Sequence, residues 1–163
     1  MKHIMGPSSR SELSNVKEVD VQPNAVDLRI GKIFKLNNAE FFIDEDRKGH
    51  RGSEELFPDE DGYWLLAKST YEVVMLNDIK VGVDEAGWVI TRSTLNRNGV
   101  FLTSGLYDSG YDGCMAASMH VHGGRMKIRH GTRIGQYLSF NSESLHSYDG
   151  DYGHAKEHDN KYV

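Results

Sequence analysis

Apolar and polar residues alternate in short runs along most of this chain, and glycine, proline or Asn-Asp pairs close the runs. Val26, Leu28 and Ile30 alternate with Asp27 and Arg29, which is the period of a strand with one buried face. Pro23-Asn24 ahead of that run marks a turn, and Gly31 inside it a bulge or tight bend. The same texture predicts strands over 63–66, 71–76, 79–83, 87–90, 114–121, 126–128 and 133–140. Asn77-Asp78, Gly82 and Gly87 separate neighbouring runs, and Gly123-Gly124 reads as a hairpin turn. No stretch sustains a helical period; 95–100 can make one turn before Gly99 stops it. Many short strands with glycine turns predict an all-β domain, a compact barrel or jelly roll.

The pattern weakens at both ends. Residues 1–20 are polar with Gly, Pro and Ser and read as an N-terminal arm, loose or briefly helical. Residues 21–140 form the β domain, interrupted at 44–61 by a charged solvated loop or hairpin insertion. Residues 141–163 are a polar tail with too little apolar content to pack alone, either disordered or ordered by a ligand or a neighbouring subunit.

Composition narrows the function classes. At 163 residues and 38% hydrophobic content, the chain can build one core, and no apolar run approaches the roughly 18 residues a membrane span needs. A soluble protein without membrane association is expected. The single cysteine, Cys114, fits a reducing compartment, and the N-terminus lacks the apolar core of a signal peptide, which together predict a cytoplasmic location. A net charge of −5 argues against direct nucleic-acid binding, which depends on many Lys and Arg neutralising phosphates. A small phosphorylated ligand remains compatible with it, and such a ligand would bring Mg²⁺ on its phosphate oxygens.

Candidate chemistry concentrates in 88–121. Arg92, Ser93, Thr94 and Arg97 suit phosphate oxygens, because guanidinium groups bind them bidentately and hydroxyls donate short hydrogen bonds. Asp108 lies among turn residues, where a carboxylate can face a ligand or simply cap the turn. Asp27 is a polar residue inside a strand pattern, with Arg29 as a possible partner in an outer-face ion pair. His120 and His122 share a strand face but are half a zinc site with no cysteine pair to complete it. His146, His154 and His158 sit among aspartates of the tail and read as solvated, and Cys114 as core.

Four motifs in order give the chain a family likeness: QPNAVDLRIG from Gln22, RSTLNR from Arg92, YDSGYDG from Tyr107 and RIGQ from Arg133, followed by a weaker tyrosine-containing tail around Tyr148 and Tyr152. From about Val21 onward the chain resembles the superfamily of dCTP deaminases and trimeric dUTPases, and its N-terminal half looks closer to the deaminase branch. The resemblance implies a dUTPase-like distorted jelly-roll barrel (β-clip) assembled as a homotrimer, with sites at subunit interfaces. It implies that Arg92, Ser93, Thr94 and Gln136 hold a triphosphate, that Asp108 activates water, and that the Tyr111 ring packs on deoxyribose. It places Arg97 near the reacting base, the hairpin from Ser104 to Tyr111 at the pyrimidine edge, and Tyr148 and Tyr152 in a closing tail.

Departures from the family pattern choose between its two chemistries. Deaminases carry a glutamate five residues after the hairpin glycine to activate water at cytosine C4, and here that place is Ser118. A serine hydroxyl is no general base at neutral pH, and losing a positioned acid/base group costs about 10²- to 10⁴-fold in rate. Asp108 is retained, so the expected activity is a deoxypyrimidine nucleoside triphosphate pyrophosphatase, dUTP to dUMP and pyrophosphate, with Mg²⁺ on the triphosphate. The alternatives are dCTP deamination, alone or alongside dUTP hydrolysis, and a non-catalytic nucleotide-binding or regulatory role. Thr91 replaces a glycine just before Arg92, and the tail lacks the glycine-rich ending of dUTPases.

Overall fold

The computed structural model describes residues 8–163. In chain order the strands are β1 (Glu12–Leu13), β2 (Val26–Leu36), β3 (Phe42–Ile43), β4 (Lys48–Gly49), β5 (Ser53–Leu56), β6 (Tyr63–Leu66), β7 (Ser69–Lys80), β8 (Glu85–Thr91), β9 (Val100–Thr103), β10 (Asp112–Val121), β11 (Met126–Arg129) and β12 (Arg133–Asn141). A single helical turn, α1 (Ser93–Asn96), stands between β8 and β9, and Gly99 beyond it takes a φ of 69° that suits glycine. The main sheet runs β8-β12-β2-β7-β10-β9, with β1 on β7 and β5 on β2. Its two ends meet: Leu102 N donates to Thr91 Oγ1 at 2.7 Å and Val89 N to Ser104 Oγ at 2.9 Å. The sheet is thereby almost closed into a barrel.

Strand alternation decides what fills it. On β10, Met115, Ala117, Met119 and Val121 point into the core, while Cys114, Ala116, Ser118 and His120 lie on the opposite, partly open face. Leu28, Ile30, Ile33, Val73, Ile79, Ile134 and Tyr137 complete the same core.

Asn77-Asp78 is not the turn its composition predicts, because β7 runs straight through it. Asn77 is buried, its Oδ1 accepting from Arg29 N and its Nδ2 donating to Ser14 O. Those bonds serve backbone groups where the β2 register on β7 shifts between Ile30 and Lys32, so the amide continues the strand where a turn would have broken it. The 44–61 insertion opens as the return of a small hairpin, β4 pairing back on β3 just ahead of it, and its β5 extends the sheet along β2.

Both ends of the described chain are fastened down. Residues 1–7 of the arm lie outside the described residues; beyond them, β1 pairs with Lys80 and Ile79, and buried Glu85 accepts hydrogen bonds from Ser9, Arg10 and Ser11. The tail packs on its own chain. Tyr148 N donates to Ser109 O, His154 N to Asp112 O, and Gly153 lies against Gly113, where an added Cβ would come within 2.6 Å of Gly153 Cα. A final 3-10 turn, Glu157–Tyr162, seats the Tyr162 ring on Phe34 and Val74, while Lys161 Nζ lies 2.7 Å from Glu72 Oε2 and Tyr162 Oη donates to Glu72 Oε1.

His158 stacks obliquely on His50 of the insertion at 4.4 Å between centroids. Burial, then the charges of Lys161 and His50, hold its pKa below the ordinary 6.5. The released tail would therefore bind a proton more readily than the docked one, and docking weakens as pH falls below about 6.5. Limited proteolysis of the last fifteen or so residues is expected to be faster at pH 5.5 than at pH 7.5, a difference that His158→Gln abolishes. Among the described residues no helix is long and apolar enough to cross a membrane.

Candidate active site

The hairpin between β9 and β10 is braced on both flanks. Gly87 and Tyr107 exchange backbone hydrogen bonds of 3.1 and 2.7 Å, and Tyr107 Oη, deep in the core, donates to Ala116 O at 2.9 Å. Ser109 Oγ donates to Gly82 O at 3.1 Å and accepts from Asp84 N at 3.2 Å. Tyr111 N donates to Asp108 O, and Gly110, at a φ of 85°, turns the chain there. With the backbone so held, the Asp108 side chain is exposed, and it makes no hydrogen bond or ion pair with the described residues.

Two cavities flank this hairpin. The larger, about 760 Å³, is bordered by Ser104, Tyr111, Ser118, Glu72, Tyr148 and Tyr152. Of the residues expected to hold a nucleoside, Ser104, Tyr111, Tyr148 and Tyr152 thus converge. The smaller, about 520 Å³, contains Asp108 with Glu85, Phe140 and Ser142. Leu106 and Tyr148 border both and form the wall between them. Tyr111 is largely covered by its own chain: its Oη donates to Cys114 O at 2.8 Å, and the Tyr107 and Tyr148 rings meet it edge-on at 5.4 and 5.3 Å.

Ser118 sits in register between Thr103 of β9 and Glu72 of β7, on the cavity face. Glu72 is the nearest carboxylate by register and is already committed to Lys161 and Tyr162. The ring nitrogens of His120 are taken by Thr70 at 3.1 Å and Thr103 at 3.0 Å. Among the described residues no three His, Cys, Asp or Glu side chains gather as a metal site.

A second cluster forms at the other end of β8. Asp27, completely buried, faces Arg92 Nε at 3.3 Å, Arg133 Nη1 at 3.1 Å and Gln136 Nε2 at 3.0 Å. Its partner is therefore not Arg29, which binds Asp20 at 2.6 Å and Gly131 O at 2.8 Å instead. Alternation turns Asp27 and Arg29 to the same side of β2; in the β12 pairing Gln136 lies opposite Asp27 and Arg133 opposite Arg29, and the Arg133 side chain reaches Asp27 while Arg29 binds Asp20. Thr91 uses its hydroxyl to tie β8 to Leu102 across the barrel seam. Ser93, Thr94 and Arg97 are exposed on α1 and just beyond it.

Removing one partner from a buried ion pair is strongly destabilising, since the other charges lose their compensation. Asp27→Asn is expected to lower stability by about 3 kcal/mol in urea unfolding.

Arg92, Ser93, Thr94, Arg97 and Gln136 border neither cavity of the hairpin. From Gly87, which pairs with the hairpin, Arg92 lies five residues on, just past the end of β8, roughly 16 Å at 3.3 Å per residue. One chain thus places the residues expected to hold a nucleoside and those expected to hold phosphate toward opposite ends of the same strand.

The family model described as dCTP deaminase-like matches residues 5–141, covering β2, the hairpin and β12. The chain belongs to the dCTP deaminase-like family. Its relatives include the probable deoxyuridine 5′-triphosphate nucleotidohydrolases of Methanopyrus kandleri, 26% identical over 88% of this chain and 94% of that one, and of Halobacterium salinarum, 30% identical over 86% and 87%. Among solved structures it is similar to the 2′-deoxycytidine 5′-triphosphate deaminase of Agrobacterium tumefaciens, with a TM-score of 0.60 and 18% identity over 80% of this chain and 43% of that one. The family fold is the barrel described above. Sequence reasoning singled out Asp27 but paired it with Arg29 on an outer face, and it gave Arg133 no role.

Proposed function

We propose that this protein hydrolyses a deoxypyrimidine nucleoside triphosphate, dUTP first, to the monophosphate and pyrophosphate. The observation that carries the reading is the exposed, uncommitted Asp108 carboxylate on a hairpin whose backbone is pinned on both sides. A carboxylate held this way can take a proton from water as the water oxygen attacks the α-phosphorus and the bond to the leaving pyrophosphate breaks. Arg92 and Gln136, with Ser93 and Thr94 close by in sequence, would hold the phosphates, and the arginine would absorb charge on the departing group. Ser104 and the hairpin backbone would meet the pyrimidine edge, with Tyr111 beside the sugar.

Magnesium bound to the triphosphate would neutralise charge on the leaving group. The residues present fit an ion brought in by the substrate: the donors around Asp27 are guanidinium and amide N–H groups, which suit phosphate oxygens, and both Asp27 oxygens are already engaged.

The two halves lie at opposite ends of β8, so a complete site would join the hairpin of one subunit to the Arg92 cluster of another, as in a homotrimer. Trp88 and Phe140, both exposed and 5.3 Å apart on the outer face of β8 and β12, give that assembly an apolar surface to cover. Purified protein incubated with dUTP, dCTP or dTTP and Mg²⁺ is expected to release pyrophosphate from dUTP and no ammonia from dCTP. Ammonia release would replace hydrolysis with deamination, and tight nucleotide binding with neither product would make the protein a sensor.

A further inference from the structure

We propose that Arg133 is a further phosphate-binding residue, set beside Arg92 by their shared hold on the buried Asp27 carboxylate. This rests on the reading that Arg92 faces the triphosphate. Neutralising one buried carboxylate takes one cation, yet two guanidinium groups converge on Asp27, so the cluster keeps an excess positive charge. Both arginines are about equally open to solvent, with side-chain exposures of 28% for Arg92 and 29% for Arg133. Each spends only part of its fork inward. Arg92 gives Nε to Asp27 and a long 3.5 Å contact from Nη1 to Arg133 O, while Arg133 gives Nη1 to Asp27 and to Val19 O at 3.1 Å. The Nη2 group of Arg92 and the Nε and Nη2 groups of Arg133 have no partner among the described residues. Gln136 Nε2 binds the same Asp27 oxygen that Arg92 approaches, so three donors are aligned by one anchor. Two planar forks side by side match a polyphosphate chain, whose neighbouring phosphoryl groups each offer a pair of oxygens.

The alternative role is purely structural, with Arg133 serving only to balance Asp27. Inorganic tripolyphosphate separates the two, because it lacks a base and sugar and has nothing to offer the hairpin. Its affinity for the protein is measured by calorimetry for wild type, Arg133→Gln and Arg133→Lys, with urea unfolding alongside. Arg133→Gln can still donate to Asp27 but has no charge, and its affinity is expected to fall about 10-fold, the scale of one charge-assisted hydrogen bond. Arg133→Lys keeps the charge and loses the fork, and about a threefold loss is expected. In turnover of dUTP the same variants should raise KM and leave kcat nearly unchanged, the mark of uniform binding. Wild-type affinity in both variants would overturn the proposal, and so would a loss in Arg133→Gln that only tracked its unfolding while Arg133→Lys bound as wild type does. If wild type binds no tripolyphosphate, the phosphate site falls and Arg133 with it. If it binds tripolyphosphate but hydrolyses no nucleotide, the reaction is wrong while the affinities still decide the role of Arg133.

Discussion

Asp108→Asn is expected to cut dUTP hydrolysis by about 10²- to 10⁴-fold while leaving nucleotide affinity and unfolding midpoint near wild type. The asymmetry follows from where the side chain stands. The hairpin is held by backbone bonds at Gly87, Tyr107 and Tyr111 and by the hydroxyls of Ser104 and Ser109, so the Asp108 carboxylate carries none of the fold. An amide of the same shape cannot accept the proton of the attacking water. Steady-state release of pyrophosphate, read beside calorimetric binding of a non-hydrolysable dUTP analogue, gives both quantities. Equal turnover in the variant would remove Asp108 from the chemistry, and lost binding with lost turnover would make it a structural residue.

Mixing two inactive variants should restore activity. Asp108→Asn keeps the Arg92 cluster, and Arg92→Met keeps the hairpin, so each supplies the half the other lacks. If sites form between subunits and chains exchange at random in an equal mixture, about a quarter of the sites pair an intact hairpin with an intact cluster. Activity near that fraction of wild type is expected after co-refolding or co-expression. A mixture as inactive as its parts would mean that both halves must come from one chain, against the length of β8 that separates them.

Most of the barrel was legible because alternation in the sequence is the direct record of which strand face is buried. Val26, Leu28 and Ile30, and Met115, Met119 and Val121, declare their sides by spacing alone. The hairpin was legible for a different reason, since glycine and aspartate at fixed places encode a turn. What did not show was the partner of Asp27. Arg133 and Gln136 are three residues apart and would point to opposite faces of a regular strand; the irregularity between Arg133 and Gly135 brings both to the same carboxylate. A register shift is set by cross-strand pairing, and linear periodicity has no term for it. Asn77-Asp78 misleads for a related reason: turn-forming residues also make good patches for backbone groups left over beside a shift. The tail was illegible through its composition, because its anchors are few and specific: one tyrosine and one lysine on Glu72, and one glycine against Gly113. Average hydrophobicity does not register single contacts.

The way the last residues are fastened has a practical side for anyone handling this protein. Val163 is almost fully exposed and directly follows Tyr162, which borders the larger cavity, so any affinity tag or fusion partner added there emerges beside that cavity. Weak activity in such a preparation would say more about the appended chain than about the enzyme.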